Sequence, residues 1–171
     1  MPLLKGGIIE DDIFLDLEDG ASVPEGADVI VSWERLQREF ETLSQISGSL
    51  GVHFPVTGNL DDLKPYLARL NLITLGFAAY TDGRAYSLAR IIRTQLDFTG
   101  ELRATGDVLA DQVAFMRQVG FDTFEIRSDR QPLDVWQRAA TSMSMTYQNS
   151  FIARQGFAPA EILNQRRSVG T

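Results

Sequence analysis

The chain has 171 residues, 44% of them hydrophobic, which is enough for one full core and makes a single domain the first expectation. It has no cysteine and one histidine, which excludes disulfides, cysteine-ligated metals or clusters, cysteine nucleophiles and histidine-rich metal sites. Its net charge of −7 argues against binding to nucleic acid or anionic membranes, and no apolar run reaches the ~18 residues of a membrane span. The N-terminus lacks the apolar core of a signal peptide, so we expect a cytoplasmic protein.

Charge is spread unevenly along the chain. Residues 1–60 hold 3 basic and 11 acidic side chains, whereas residues 61–171 hold 13 basic and 12 acidic ones. Of the 16 basic residues 14 are arginine, whose planar fork binds carboxylates, phosphates and sulfur oxyanions in a bidentate manner. We expect most of these arginines on the surface.

The first predicted elements are a hairpin, a strand and a helix. Residues 7–17 flank a polar turn at Glu10–Asp12, which predicts an N-terminal β-hairpin at one end of the main sheet. Residues 28–31 form a short buried strand. Ser32 is a candidate N-cap for the helix that follows, and this helix ends near Ser47.

The next predicted strand contains the single histidine. Val52, Phe54 and Val56 alternate with His53 and Pro55. Because proline cannot donate to a ladder, we expect this strand at an edge of the sheet. His53 then lies on the face opposite the apolar residues, where we expect a surface or loop-packing histidine without a catalytic role.

Strand–turn–helix units make up the next part of the chain. We expect strands at 72–77, 101–105 and 123–127, with amphipathic helices between them. The helix after the second strand starts near residue 108 and has Gly120 as its C′ residue. One more helix follows Pro132.

The alternation of side chains within these strands decides between two α/β architectures. One face of each strand is apolar and the other is polar, whereas a doubly wound sheet needs two apolar faces. This favours a half-barrel of repeated βα units over an open, mostly parallel, flavodoxin-like sheet. Open edges and a polar concave face also predict a homo-oligomer. We place a single α/β domain at 1–149 and a C-terminal extension at 150–171 that is partly disordered or contacts another subunit.

Candidate binding groups lie in the turns after the strands, where parallel sheets present their sites. In Thr81-Asp82-Gly83-Arg84 the glycine allows close backbone approach, and free N–H groups with the arginine can hold an oxyanion. An ordinary capped turn is the other interpretation. Thr105-Gly106-Asp107 is the equivalent turn one unit later, where an acid suits the helix dipole without any function. No dinucleotide or Walker motif occurs, so we expect no cofactor and no metal, although a flavin bound without a motif stays open.

Three charged residues lie on the polar faces of the last two predicted strands. Arg103, Glu125 and Arg127 form either a self-satisfied ion network or an oxyanion pocket with Glu125 as its orienter or general base. An unpaired buried charge is costly, so Arg103 needs an ionic partner or a ligand, and Glu125 is the ionic partner we expect. The candidate anion-binding residues are, in full, Thr81, Asp82, Gly83, Arg84, Arg90, Arg103, Thr105, Gly106, Asp107, Glu125 and Arg127.

Three motif blocks resemble a known family. They read AYTDGRAYSLAR at 79–90, TGELRATGDVLADQ at 99–112 and GFDTFEIR at 120–127. These blocks resemble a bacterial family of unknown function whose genes commonly lie beside those for assimilatory sulfite reductase and phosphoadenylylsulfate reductase. Members of that family are often labelled oxidoreductases. The resemblance covers roughly residues 28–148.

The resemblance implies a role in cytoplasmic sulfate or sulfite assimilation, but it supplies no reaction and no catalytic residues. One hypothesis makes the protein an accessory or partner of sulfite reductase components, without chemistry of its own. The alternative is an enzyme, sensor or oxidoreductase that binds a small sulfur or phosphate oxyanion in an arginine-lined pocket at the C-terminal edge of the sheet. The sequence leaves both hypotheses open, and with them whether the chain is an enzyme.

Overall fold

One mixed β-sheet organises the protein, as seen in a computed structural model that describes residues 2–78 and 83–141. Within these residues eight strands follow the order β2-β1-β8-β7-β6-β5-β4-β3 across the sheet. The strands are β1 (Pro2–Lys5), β2 (Ile8–Asp11), β3 (Leu15–Asp16), β4 (Val29–Ser32), β5 (Leu50–Phe54), β6 (Leu72–Phe77), β7 (Glu101–Gly106) and β8 (Thr123–Glu125).

Short helices connect the parallel strands. They are α1 (Trp33–Leu43), α2 (Leu60–Leu63), α3 (Arg84–Thr94) and α4 (Val113–Val119), with single 3₁₀ turns at Lys64–Tyr66 and Ala110–Gln112. Residues 133–141 are also helical. Within the described ranges no helix combines the length and the hydrophobicity that a membrane crossing requires.

Strand order explains why the helices lie on one side of the sheet. From β3 to β8 the strands are parallel and neighbours in space are neighbours in the chain. Crossovers between parallel strands are right-handed, and a run that never reverses direction places every crossover helix on the same face. The predicted α/β half-barrel is therefore confirmed, and none of the crossover helices that the structure describes lies on its concave face.

A three-residue linker shows how strongly the sheet curls. The outermost strands, β2 and β3, are joined only by residues 12–14. Four virtual bonds between Asp11 and Leu15 span at most roughly 15 Å, whereas seven strand spacings in a flat sheet would separate the two edges by roughly 33 Å. The linker thus holds the two edges of the half-barrel near each other.

The core lies between the convex face of the sheet and the helices. Ser32 starts α1 by accepting a hydrogen bond from the Arg35 backbone N–H at 3.1 Å, as expected of an N-cap. The helix then packs Trp33 edge-on against Phe54, with 5.0 Å between ring centroids. The largest fully buried side chains are Trp136, Phe54, Phe121, Phe124, Leu4, Leu36, Leu43, Leu50, Leu63, Leu72, Ile73 and Leu75.

The N-terminal hairpin is present, but the predicted turn at Glu10–Asp12 was wrong. The hairpin pairs β1 with β2 and turns at Gly6 and Gly7, with φ of 57° and 89°. Two consecutive residues with positive φ make a type I′ turn, which suits the twist of a two-residue hairpin and favours glycine at both positions. The polar residues from Glu10 onward instead end β2 and begin the linker.

The predicted edge position of the histidine strand was also wrong. β5 ends at Phe54 and pairs with β4 on one side and β6 on the other. Pro55 follows the last strand residue, so it removes no donor from the ladder. The predicted helix near residue 108 begins later, because a 3₁₀ turn precedes α4, although Gly120 ends that helix as expected. The predicted extension at 150–171 lies outside the described residues.

Candidate functional site

A row of polar side chains crosses the concave face at one level. The strand register pairs Ser32 with His53, His53 with Thr74, Thr74 with Arg103, and Arg103 with Thr123. Residues directly opposite each other in neighbouring strands point to the same face. These five residues, the polar row, therefore form a continuous stripe along the inside of the half-barrel.

Arg103 is the buried charge at the centre of this face, with only 3% of its surface exposed. Its Nη1 donates to Asp12 Oδ2 at 2.6 Å, and its Nε and Nη2 donate to Glu101 Oε1 at 3.1 and 2.9 Å. Its guanidinium also lies over the Phe14 ring, 5.4 Å from the centroid. All three nitrogens are thus engaged, and the linker is fixed against the concave face.

Lys5 completes an ion cluster, which we define as Lys5, Asp12, Glu101 and Arg103. Its Nζ lies 2.7 Å from Glu101 Oε2, so two cations face two carboxylates. Burial by itself would raise the pKa of Glu101, but the hydrogen bonds and positive charges of Lys5 and Arg103 outweigh it and lower that pKa. The hydrogen bond to Glu101 correspondingly raises the pKa of Lys5. The cluster is neutral in sum, which lets Arg103 and its two carboxylate partners lie largely buried while Lys5 is exposed.

The lowered pKa of Glu101 predicts a specific acid sensitivity. Its folded value lies below the unfolded value of about 4.3, so the carboxylate contributes stability above that pH and loses it as pH falls through the folded pKa. We expect Glu101→Gln to cost about 2 kcal/mol at pH 7, and this difference from wild type to shrink below about pH 4.

Urea unfolding at a series of pH values measures this difference. Glu41→Gln, which changes an exposed carboxylate on α1, is the matched control and should differ little from wild type throughout. A Glu101→Gln difference that stayed constant down to pH 3 would contradict the ionic role of Glu101.

The expected pairing of Arg103 with Glu125 was wrong. Glu125 Oε2 accepts a hydrogen bond from the Gly106 backbone N–H at 2.9 Å, one level nearer the C-terminal edge. Arg127 pairs with Asp129 at 2.7 Å. The network of Arg103, Glu125 and Arg127 does not form, because each finds a partner closer to its own level of the sheet.

His53 lies on the concave face, as its alternation with apolar residues predicted. Its Nδ1 is 2.6 Å from Thr74 Oγ1, and its Nε2 is 3.1 Å from Asp16 Oδ1. A carboxylate, an imidazole and a hydroxyl in series resemble a nucleophilic triad. Thr74 is only 1% exposed, however, so a substrate does not reach its hydroxyl. The arrangement instead links β3 to β6 across the two strands between them.

The C-terminal edge brings together some of the predicted anion-binding residues. Thr105 pairs in register with Gly76, whose missing side chain leaves the surface open above it. Gly106 and Glu125 are hydrogen-bonded to each other, so the carboxylate already occupies the N–H group that an oxyanion would use. Asp107 lies 3.8 Å from the exposed Arg130.

Other predicted residues lie elsewhere. Arg90 is exposed on α3, whose buried Ala85 and Ala89 face the convex side, so it does not reach the concave face. Gly83 and Arg84 begin the same helix and are exposed. Thr81 and Asp82 lie outside the described residues. Binding of an anion at any of these positions stays a prediction.

Comparison with known proteins places the chain in a family. The model of a bacterial protein family of unknown function, DUF934, matches residues 51–158, which is more than half of the chain. The chain belongs to the DUF934 family. No curated protein matches it. Membership in a bacterial family of unknown function confirms that part of the prediction made from the motif blocks.

The DUF934 match covers β5 to β8 but not the four strands before them. β1 nevertheless pairs with β8, and Asp12 and Lys5 complete the ion cluster around Arg103. The concave face is therefore built from both parts of the chain, and the part before residue 51 supplies two of the four residues of the ion cluster.

Sequence reasoning missed the residues that surround Arg103 in this DUF934 domain. The sequence predicts a hairpin turn at Asp12, and Glu101 lies only two residues from Arg103 on the same face of β7. That spacing of two was a usable signal, because residues i and i+2 of a strand share a face. No local pattern pointed to Asp12 or Phe14, which are about 90 residues away in the chain.

Three arginines, which we expected at the surface, fix loops by hydrogen bonds to backbone carbonyls. Arg35, Arg69 and Arg93 each donate to two or more backbone carbonyls. Arg69 lines a cavity of about 480 Å³ at the N-terminal edge of the sheet, where it caps the Gly48 carbonyl at 3.0 Å. Fixed loops of this kind are typical of the structural end of a parallel sheet rather than of its site.

Proposed function

We propose that the protein is an accessory partner in cytoplasmic assimilatory sulfate and sulfite reduction, and that it assists sulfite reductase by binding one of its components. The motif blocks support the pathway, because they resemble a family whose genes commonly lie beside those for sulfite reductase and phosphoadenylylsulfate reductase. The geometry supports the binding role. A homo-oligomer stays a prediction of the sequence, and its interface would not include the acidic β2.

One observation carries the binding role, namely an exposed acidic and apolar segment at residues 8–19, the acidic edge. Ile8, Ile13 and Leu15 are 67%, 72% and 47% exposed, and they are three of the five large hydrophobic side chains exposed in the described residues. Large exposed apolar patches with a polar rim mark sites of protein association, and this segment places three exposed apolar side chains within eight positions of the chain. The exposed acidic residues of the segment are Glu10, Asp11, Asp16, Glu18 and Asp19.

The exposure of Ile13 is imposed by its neighbours. Asp12 and Phe14 both turn inward onto Arg103, through an ion pair and a cation–π contact. Ile13 lies between these two inward side chains and is itself 72% exposed. An isoleucine that is held in water by fixed neighbours is available for a partner without rearrangement.

The charges on the concave face support the same role. Arg103, Lys5 and Arg127 each have an acidic partner within 3 Å. An arginine-lined anion pocket would need cations that a ligand can reach without displacing such partners. The carboxylates of the acidic edge, in contrast, are exposed to solvent and can reach a partner.

Co-purification tests the proposal. We expect the tagged protein to retain sulfite reductase components at micromolar concentration, and Ile13→Ser to weaken that retention about tenfold, as loss of an apolar anchor does. Phe115→Ser removes a 54% exposed side chain from α4 and is the matched control that should retain them. A deletion strain should grow normally on cysteine and slowly on sulfate or sulfite. Absence of any association at micromolar concentration, with unchanged growth, would contradict the proposal.

The second candidate is the oxyanion-binding enzyme, sensor or oxidoreductase. The open surface above Gly76, beside the Thr105 hydroxyl at the C-terminal edge, is the observation that favours it. Calorimetry with sulfite, sulfate, adenylylsulfate and phosphate separates the two functions, since an accessory protein should bind none of them. Saturable heat with any one of these anions would favour the second candidate.

A further inference from the structure

The free side of β2 is the feature of the acidic edge that specifies a kind of partner. β2 is the last strand of the sheet, and within the part of the chain that the structure describes no strand pairs with its outer side. An outer strand presents a row of backbone N–H and C=O groups that can pair with another extended chain. Such pairing is a common mode of peptide recognition.

The hairpin geometry identifies which backbone groups face outward. In a two-residue hairpin the residues that flank the turn, Lys5 and Ile8, exchange hydrogen bonds, and the pairs then alternate along the ladder. The backbone groups of Ile9 and Asp11 therefore point away from β1, to the free side. The Pro2 carbonyl, which by the same alternation points away from β2, accepts a hydrogen bond from Ile126 at 3.0 Å, which supports this assignment.

Charge decides what kind of strand fits. Between Lys5 and Arg35 the sequence contains nine acidic residues and no basic one. A second copy of the chain would bring this acidic segment against itself, whereas a basic segment would be attracted to it. Ile8, Glu10 and Asp11 of β2 are exposed and Ile9 is partly buried, so a paired strand would meet both carboxylates and isoleucine.

We propose that β2 binds, by strand addition at its free side, an extended segment of a partner protein in which lysine or arginine alternates with β-branched apolar residues. This inference rests on the proposed function only in that the protein acts by binding another protein. It names the chemistry of the segment that is bound, and it holds for any protein that carries such a segment.

A fluorescent nine-residue peptide of alternating lysine and valine is the probe, with a glutamate-for-lysine peptide as its counterpart. We expect the lysine peptide to bind the full chain and the glutamate peptide to bind at least tenfold more weakly. Asp11→Pro removes the N–H group that faces the free side, and it should weaken binding about tenfold more than Asp11→Ala, which removes only the charge. Glu41→Lys on α1 is the charge control and should bind like wild type.

Each outcome decides the inference. Equal binding of both peptides, or equal binding by Asp11→Pro and Asp11→Ala, overturns it, as does a dimer in sedimentation that Asp11→Pro dissolves. Peptide binding without retention of sulfite reductase components supports the inference and refutes the proposed function. If the Asp11→Pro variant retains those components at wild-type level, the proposed function is supported and the inference is overturned.

Discussion

Arg103→Met is expected to destabilise the protein by about 3 to 5 kcal/mol, the range for breaking a buried ion pair from one side. The substitution removes the ionic partner of Asp12, which keeps only a hydrogen bond from the Phe14 backbone N–H, and it leaves Glu101 with Lys5. It also releases the linker, which is held to the concave face by Asp12 and by the contact of Phe14 with the guanidinium. Urea unfolding at pH 7 measures the loss.

The matched control is Arg127→Met, because Arg127 pairs with an exposed carboxylate at the surface and its loss should barely change unfolding. Combining Arg103→Met with Asp12→Asn and Glu101→Gln should recover part of the stability, since no buried carboxylate then lacks a partner. Sulfate should raise the unfolding temperature of wild type and of Arg103→Met by the same amount. An Arg103→Met protein that melts like wild type and loses protection by sulfate would make Arg103 an anion ligand instead.

Gly106→Ala is expected to cost about 3 kcal/mol, because two penalties coincide at the end of β7. The residue has a φ of 84°, and a Cβ there would lie 2.5 Å from the Phe77 carbonyl oxygen. That oxygen is fixed by the Asp107 backbone N–H, which donates to it at 2.9 Å. The backbone between β6 and β7 therefore has to shift at the C-terminal edge.

Gly83→Ala is the control for this effect. Gly83 has an ordinary φ of −75°, and a Cβ there would meet no atom within 4 Å. Thermal melts of both variants should show a clear drop for Gly106→Ala alone. If both variants unfold at the same temperature, close packing at the end of β7 is not the reason for the glycine at position 106.

The strands and the one-sided packing could be predicted because their signals are local. Alternation in β6 and β7 separates buried Leu75 and Leu102 from polar Thr74 and Arg103 within six residues. One apolar face per strand then excludes a doubly wound sheet. The prediction that Arg103 needs a partner followed from the same pattern.

The second partner of Arg103, Asp12, could not be predicted, because its position depends on the curvature of the whole sheet. Asp12 reaches Arg103 only because the linker draws β2 and β3 together, and no local pattern encodes that closure. The hairpin turn was misplaced for a related reason. Glu10–Asp12 has the polar composition of a turn. In the structure, however, Glu10 and Asp11 are exposed residues at the end of β2, and Asp12 forms an ion pair with Arg103.

The pairing of β1 with β8 has a consequence for how the protein is made. Leu3 pairs with Glu125, so β1 cannot complete its pairing until β8 has been synthesised. At 5 to 20 residues per second, a ribosome leaves the side of β1 that pairs with β8 unpaired for roughly ten seconds. During that time Leu3 and Leu4, which are 3% and 0% exposed in the finished fold, are in water.

The acidic stretch that follows β1 bears on the risk of aggregation during this delay. Contacts between distant parts of a chain form slowly, and strands that wait for their partners are prone to aggregate. Charged residues beside an apolar strand oppose that self-association. We therefore expect the nine acidic residues between Lys5 and Arg35 to oppose association of nascent N-termini on neighbouring ribosomes until β8 has emerged.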